Sequence, residues 1–413
     1  MHPYIIRWLK ISFFNLVIVA SLGLTLRYKI SFPLPQIDQK YFLHAHSHFA
    51  FGGWITHTIL SLMVAWISNK LGKECYKKYR WLIYANLITA YGMLFSFMYQ
   101  GYGLLSIIFS TLSIFVAYAF AFVFWKDLNR IPQKNISRLW FKAALVFNII
   151  SSIGAFTLAF MFATKNQEQH FYLSSIYFYL HFQYNGWFLF SCLGFAFSDI
   201  FHHVEDHIAK RIFWIFALAC IPNYLLSILW TNFPLVIYII IIVASLIQFW
   251  GWAEMVKLLR AERQTYLKTV HPIVKWILGL SFLAFTIKLF LQAGSTIPSL
   301  SKLAYGFRPI IIGYLHLVLL GVISLFLIGY GISKNYLRYG PTLKWGISVF
   351  TLGVFANELV LMVQGVCDIM LIPLPSANLY LFYAAIILFT GAFLMAIAKG
   401  KELGGKRGMA LKH

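Results

Sequence analysis

The sequence predicts an all-α polytopic membrane protein of about twelve transmembrane helices in a single integral membrane domain over residues 1–413, and three observations predict it. Apolar side chains make up 60 % of the chain and charged ones only 11 %, with a mean hydropathy of +0.74, a balance far from that of a water-soluble globule. Apolar runs of about 20 residues, the length that crosses a hydrocarbon core, recur twelve times. The basic residues, 34 Lys and Arg against 12 Asp and Glu, sit in short clusters between those runs. That distribution orients helices in a bilayer, so the net charge of +22 implies a lipid bilayer as partner and not nucleic acid.

Taken in order, the predicted spans are 5–26, 43–68, 79–99, 103–125, 139–164, 173–199, 211–231, 234–257, 272–295, 308–332, 343–366 and 376–398. Arg7 and Lys10 precede the first apolar run like the start of a signal peptide, but no small-residue cleavage site follows, so the segment is expected to stay as helix 1. Basic clusters follow helix 2 (Lys70, Lys73, Lys77, Lys78, Arg80), helix 4 (Lys126, Arg130, Lys134, Arg138), helix 8 (Lys257, Arg260, Arg263, Lys268) and helix 12 (Lys399, Lys401, Lys406, Arg407). The connections after helices 3, 7 and 11 carry almost none. By the positive-inside rule both termini are expected in the cytoplasm of a bacterial-type inner membrane, against which only Arg27, Lys29 and Lys40 before helix 2 speak. The four cysteines, Cys75, Cys192, Cys220 and Cys367, show no paired spacing and suggest neither a disulfide framework nor a thiolate metal site.

Helix 2 opens on Leu43–Trp54, LHAHSHFAFGGW, with His44, His46 and His48 at alternate positions. On a helix, i,i+4 spacing puts His44 and His48 on one face and turns His46 away, and Gly52 and Gly53 allow close approach to the backbone. The pattern of a histidine five residues before a glycine recurs: His48 with Gly53, His181 with Gly186 and His316 with Gly321, at separations of 181 − 48 = 133 and 316 − 181 = 135 residues. The chain therefore reads as three four-helix pseudo-repeats, roughly 1–135, 136–270 and 271–413, each with a histidine near the outer end of its second helix. At 1.5 Å per residue, His181 and His316 lie about 12 Å below that end, with His48 a little shallower.

Three imidazoles in one layer suit haem iron, copper or zinc, and a neutral ligated histidine resolves the cost of burying it. Lys288 on helix 9 and Glu358 on helix 11 fall at the same depth; an ion pair locking two helices and a pair of contacts to a cofactor's carboxylates and proton path are both open readings. Asn357, Gln292 and Gln364 add polarity that interhelical hydrogen bonds explain. His57 reads as an interhelical histidine, and His202, His203 and His207, near Asp199, Glu205 and Asp206, as an exposed polar loop; His170 and His271 call for no special role.

With its twelve spans, its three units and its His-x-His-Ser…Gly-Trp run, the chain resembles the catalytic-subunit superfamily of haem-copper oxidases and nitric oxide reductases over its whole length, and the HAH opening with FGG is similar to the NnrS family of haem- and copper-containing membrane proteins. The resemblance implies a subunit I-like fold and a b-type haem held by one of His44, His46 and His48 from helix 2 and by His316 from helix 10. It also implies a copper, iron or zinc site at His181, with His48 as a spare ligand, and a redox partner or small subunits beside it. The departures are specific: RIFWIFALACIPNYLLSILW carries no histidine pair on helix 7, only His316 remains where the family has His-x-His on helix 10, and His181 is followed by Phe-Gln-Tyr-Asn. A standard binuclear centre is therefore not expected, and without a CxxCH any haem is noncovalent. The expected function is electron transfer or the handling of nitric oxide or metal, with a reaction of the oxidoreductase class left open. The alternative is a zinc or copper transporter, or metal-binding membrane protein, that captures its ion at HAHSH; three units in one orientation differ from the inverted repeats common among transporters.

Overall fold

The computed structural model describes residues 3–72, 75–165, 168–231, 233–262, 270–336 and 339–398, and within them every regular element is a helix. Eleven helices there are long and apolar enough to cross a membrane. They are α1 (Pro3–Ser31), α2 (Gln39–Leu71), α3 (Tyr76–Gln100), α4 (Leu104–Leu128), α5 (Ser137–Ala163), α7 (Asp206–Ile228), α8 (Leu235–Glu262), α9 (Pro272–Gly294), α10 (Arg308–Ser333), α11 (Pro341–Ile369) and α12 (Ala377–Ile397). The predicted sixth span forms as α6, a continuous helical run over 169–199, but it is not among the eleven. His181, Gln183, Asn185 and the tyrosines at 172, 177, 179 and 184 lower its hydropathy. Of the basic loop residues, Lys73, Arg263, Lys268, Lys399, Lys401, Lys406 and Arg407 lie outside the described residues.

Helix ends follow local chemistry. The Asp38 carboxylate accepts the Tyr41 N–H at 2.9 Å, so α2 starts at Gln39 instead of at residue 43, and Glu168 accepts the N–H groups of His170 (3.0 Å) and Phe171 (2.6 Å) at the start of α6. Between α3 and α4 the chain turns at Gly101 with φ +60°, where a Cβ would lie 2.5 Å from the Tyr41 ring; both the backbone and the space demand glycine.

Each helix packs on the next in sequence from α1 to α12, and α12 returns onto α1, closing a ring. Three helices, α2, α6 and α10, sit inside it and touch one another. Trp54 on α2 donates to Ser324 Oγ on α10 (2.9 Å), Trp187 on α6 to Thr56 Oγ1 on α2 (3.4 Å), and Trp66 on α2 to Ser198 Oγ on α6 (2.8 Å). At the far end the Asp199 carboxylate of α6 accepts Tyr330 Oη of α10 at 2.7 Å and pairs with Lys334. These joints link like ends with like ends, so the three helices run parallel.

Each of the three changes character midway. A π-helical stretch interrupts α2 at Ala50–Thr56, α6 at Phe182–Phe188 and α10 at Leu317–Ser324. Their starts are 182 − 50 = 132 and 317 − 182 = 135 residues apart, and each contains the glycine of the sequence pattern. A π-turn releases carbonyls from the helical ladder, and neighbours take them up: Asn15 on α1 donates to Gly53 O (2.6 Å), Asn86 on α3 to Gly52 O (3.2 Å) and Ser281 on α9 to Val322 O (2.7 Å). Beyond the π-turns, His57–Ser68, Leu189–Phe197 and Leu325–Ile332 are buried without exception. Before them, only Ala45 and Phe49 are buried in Gln39–Phe49, only Ser175 and His181 in Gln169–His181, and nothing in Arg308–His316.

Candidate functional site

The loosely packed N-terminal halves carry the histidines. His46 points to α1, where its Nδ1–H donates to the Val19 carbonyl at 3.1 Å. Its ring lies over Gly23, at which a Cβ would stand 3.2 Å from the His46 Cε1. His316 Nδ1–H donates to Ile312 O, one turn back on α10, at 2.8 Å. A carbonyl only accepts, so the neutral form of each ring carries its proton on Nδ1 and its lone pair on Nε2. Neither Nε2 has a protein partner among the described residues, and both side chains are only partly buried. His46 and His316 lie within electrostatic reach of each other and of Arg27, which in turn neighbours Arg308. No carboxylate among the described residues pairs with either arginine.

His44 and His48 face the opposite way, as their spacing requires. His48 stacks on Phe97 of α3 with ring centroids 4.2 Å apart and brings Nε2 to 3.2 Å from Tyr102 Oη; His44 meets the same tyrosine edge-on at 4.6 Å.

His181 faces α7. It is 1 % exposed, its Nε2–H donates to Cys220 O at 2.8 Å, and its Nδ1 accepts from Asn185 Nδ2 at 3.1 Å. Both nitrogens are engaged by the protein, so the residue expected to ligate a metal has no lone pair to spare in this arrangement. Among the described residues no group of three or more His, Cys, Asp or Glu side chains gathers where it could hold a metal ion.

The ion-pair reading of Lys288 and Glu358 is corrected. Lys288 is buried on α9, donates to Gln292 Oε1 at 2.6 Å and lies 5.4 Å from the centroid of Phe285. Gln292 and Asn223 both donate to Gln248 Oε1, at 3.0 and 2.7 Å. Glu358 instead accepts from Asn357 at 3.0 Å on α11. α9 and α11 each pack on α10, which keeps the two charges apart. His57, fully buried, donates from Nε2 to Trp8 O at 3.2 Å, and the loop histidines stay among themselves, His202 bonding Asp199 O at 2.8 Å and His207 pairing with Glu205 at 3.2 Å.

Sequence reasoning missed Arg27, Gly23 and Tyr102. Arg27 had a signal, a charge at the end of an otherwise apolar helix; Gly23 and Tyr102 depend on which helix lies beside α2 and had none. The fold and the site define a multi-pass helical membrane protein with a histidine pair poised on facing central helices. Neither a protein-family model nor a curated protein matches the chain.

Proposed function

We propose that this chain is a haem-binding, redox-active membrane protein built as three four-helix pseudo-repeats in the manner of oxidase subunit I, without a standard binuclear centre. The observation that carries the reading is the pair His46 and His316, each anchored at Nδ1 by a backbone carbonyl and free at Nε2. Anchoring one imidazole nitrogen is how proteins fix the tautomer and direction of a ligating histidine. The half-buried N-terminal halves of α2 and α10 leave surface for a bulky group to cover. Arg27 and Arg308, which no carboxylate among the described residues pairs with, suit the carboxylates of a b-type haem.

A bis-histidine haem supplies one-electron transfer. His46 and His316 would hold it, Gly23 leaves room for the His46 ring, and Arg27 and Arg308 would meet its carboxylates. The pseudo-repeat is supported by the three π-turns and by the contacts α4 on α5, α8 on α9 and α12 on α1, which join successive units in the same way. The basic loops support cytoplasmic termini in a bacterial inner membrane, with a redox protein as electron partner. The protein purified from haem-replete cells is expected to show a Soret band and a reduced-minus-oxidised α-band, both lost in His46→Ala and His316→Ala.

One observation favours a second reading: His44 and His48, four residues apart on one helical face with Tyr102 beside them, form a donor set for an exchangeable zinc or copper ion. Metal analysis of His44→Ala, with haem content measured on the same sample, separates the two.

A further inference from the structure

The joints between the three central helices use the same two positions each time, counted from the repeated glycine. One residue after Gly53 and Gly186 stand Trp54 and Trp187; three residues after Gly53 and Gly321 stand Thr56 and Ser324. Trp187 of α6 donates to Thr56 of α2, and Trp54 of α2 donates to Ser324 of α10. The third joint, from α10 to α6, needs an indole one residue after Gly321 and a hydroxyl three residues after Gly186. The chain has Val322 and Leu189 there. Both side chains line one half-open apolar pocket of about 30 Å³, together with Cys192 and Phe326 from the same two helices, Trp252 from α8 and Phe285 from α9.

The surroundings show that the missing indole is not compensated. Val322 is 5 % exposed and Leu189 5 %, so the cavity lies in the densely packed half of the molecule, where voids larger than a water are few. Ser281, the polar residue on its wall, spends its hydroxyl on Val322 O. A single water needs roughly 10–15 Å³ and two to four polar partners. This pocket has the room and lacks the partners, so an apolar guest is favoured there over water.

We infer that the cavity between Val322 and Leu189 is a binding site for one small apolar molecule of diatomic-gas size, made by replacing the third tryptophan–hydroxyl joint with aliphatic side chains. The inference is independent of haem. The probe is xenon: crystals of the wild-type protein pressurised with xenon are expected to show one anomalous peak between Val322, Leu189 and Phe285. Val322→Phe and, separately, Leu189→Phe, which fill the space from opposite walls, are expected to lower its occupancy at least tenfold; whichever variant retains its wild-type helicity and elution volume is scored. No xenon at this place in the wild type, or unchanged occupancy in a folded variant, overturns the inference.

Discussion

The two halves of the central helices are built on opposite principles. Past the π-turns, α2, α6 and α10 are buried at every position over His57–Ser68, Leu189–Phe197 and Leu325–Ile332, and are stitched by Trp66 to Ser198 and by Asp199 to Tyr330 and Lys334. Before the π-turns the same helices are mostly only half-buried, although they still lie at the centre of the ring. The histidines with free Nε2 atoms fall in the loose half, whereas the hydrogen-bonded joints between the three helices fall in the π-turns and beyond them. His181 stands at the border and belongs with the joints, since Cys220 and Asn185 use both of its nitrogens.

This division makes mutations separable. The largest effect is expected from His46→Ala and His316→Ala: each would remove one of the two proposed haem ligands, so haem retained per mole of protein should fall at least tenfold while thermal unfolding in detergent is nearly unchanged. His181→Ala should do the reverse, keeping the absorbance spectrum while stranding the Cys220 carbonyl and the Asn185 amide. Loss of buried partners costs about 1–3 kcal/mol each, readable as a lowered Tm. If His181→Ala bleached the protein and His46→Ala did not, the assignment of the two regions would be inverted.

Smaller effects sharpen the same line. Gly23→Val should crowd the His46 ring, whose Cε1 would already stand 3.2 Å from a Cβ there, and shift or broaden the α-band without loss of fold. In the tight half, Asp199→Asn removes the charge paired with the partly exposed Lys334 and should cost about 1 kcal/mol. A loss of the same order is expected from Trp54→Phe, which deletes one interhelical hydrogen bond worth about 0.6–2 kcal/mol, while the Ser324 hydroxyl keeps its bond to Leu319 O at 2.7 Å.

Much of the fold was legible in the sequence because bilayer crossing is written in composition: the apolar runs and basic clusters place nearly every helix. α6 shows the limit, since His181, Gln183 and Asn185 make its hydropathy poor while Cys220 on a neighbouring helix accepts from His181 and Asn148 and Ser151 accept from Gln183. The histidine–glycine spacing pointed to the three central helices, and the i,i+4 rule separated His46 from His44 and His48. What spacing could not tell is which neighbour each ring meets. The bond from His46 to Val19, the capture of His181 by α7 and the separation of Lys288 from Glu358 by α10 are matters of helix placement, and placement is set by surfaces such as Gly23 and the π-turns whose role is invisible until the helices are side by side.

The most direct test is a pyridine haemochrome assay and optical spectrum on wild type, His316→Ala and His181→Ala purified side by side from haem-supplemented cells. About one b-type haem per chain is expected in the wild type and in His181→Ala, with a sharp α-band on reduction, and none in His316→Ala. A colourless wild-type protein of full helicity, or a haem content that His316→Ala leaves untouched, would contradict the proposal that α2 and α10 hold a haem between them.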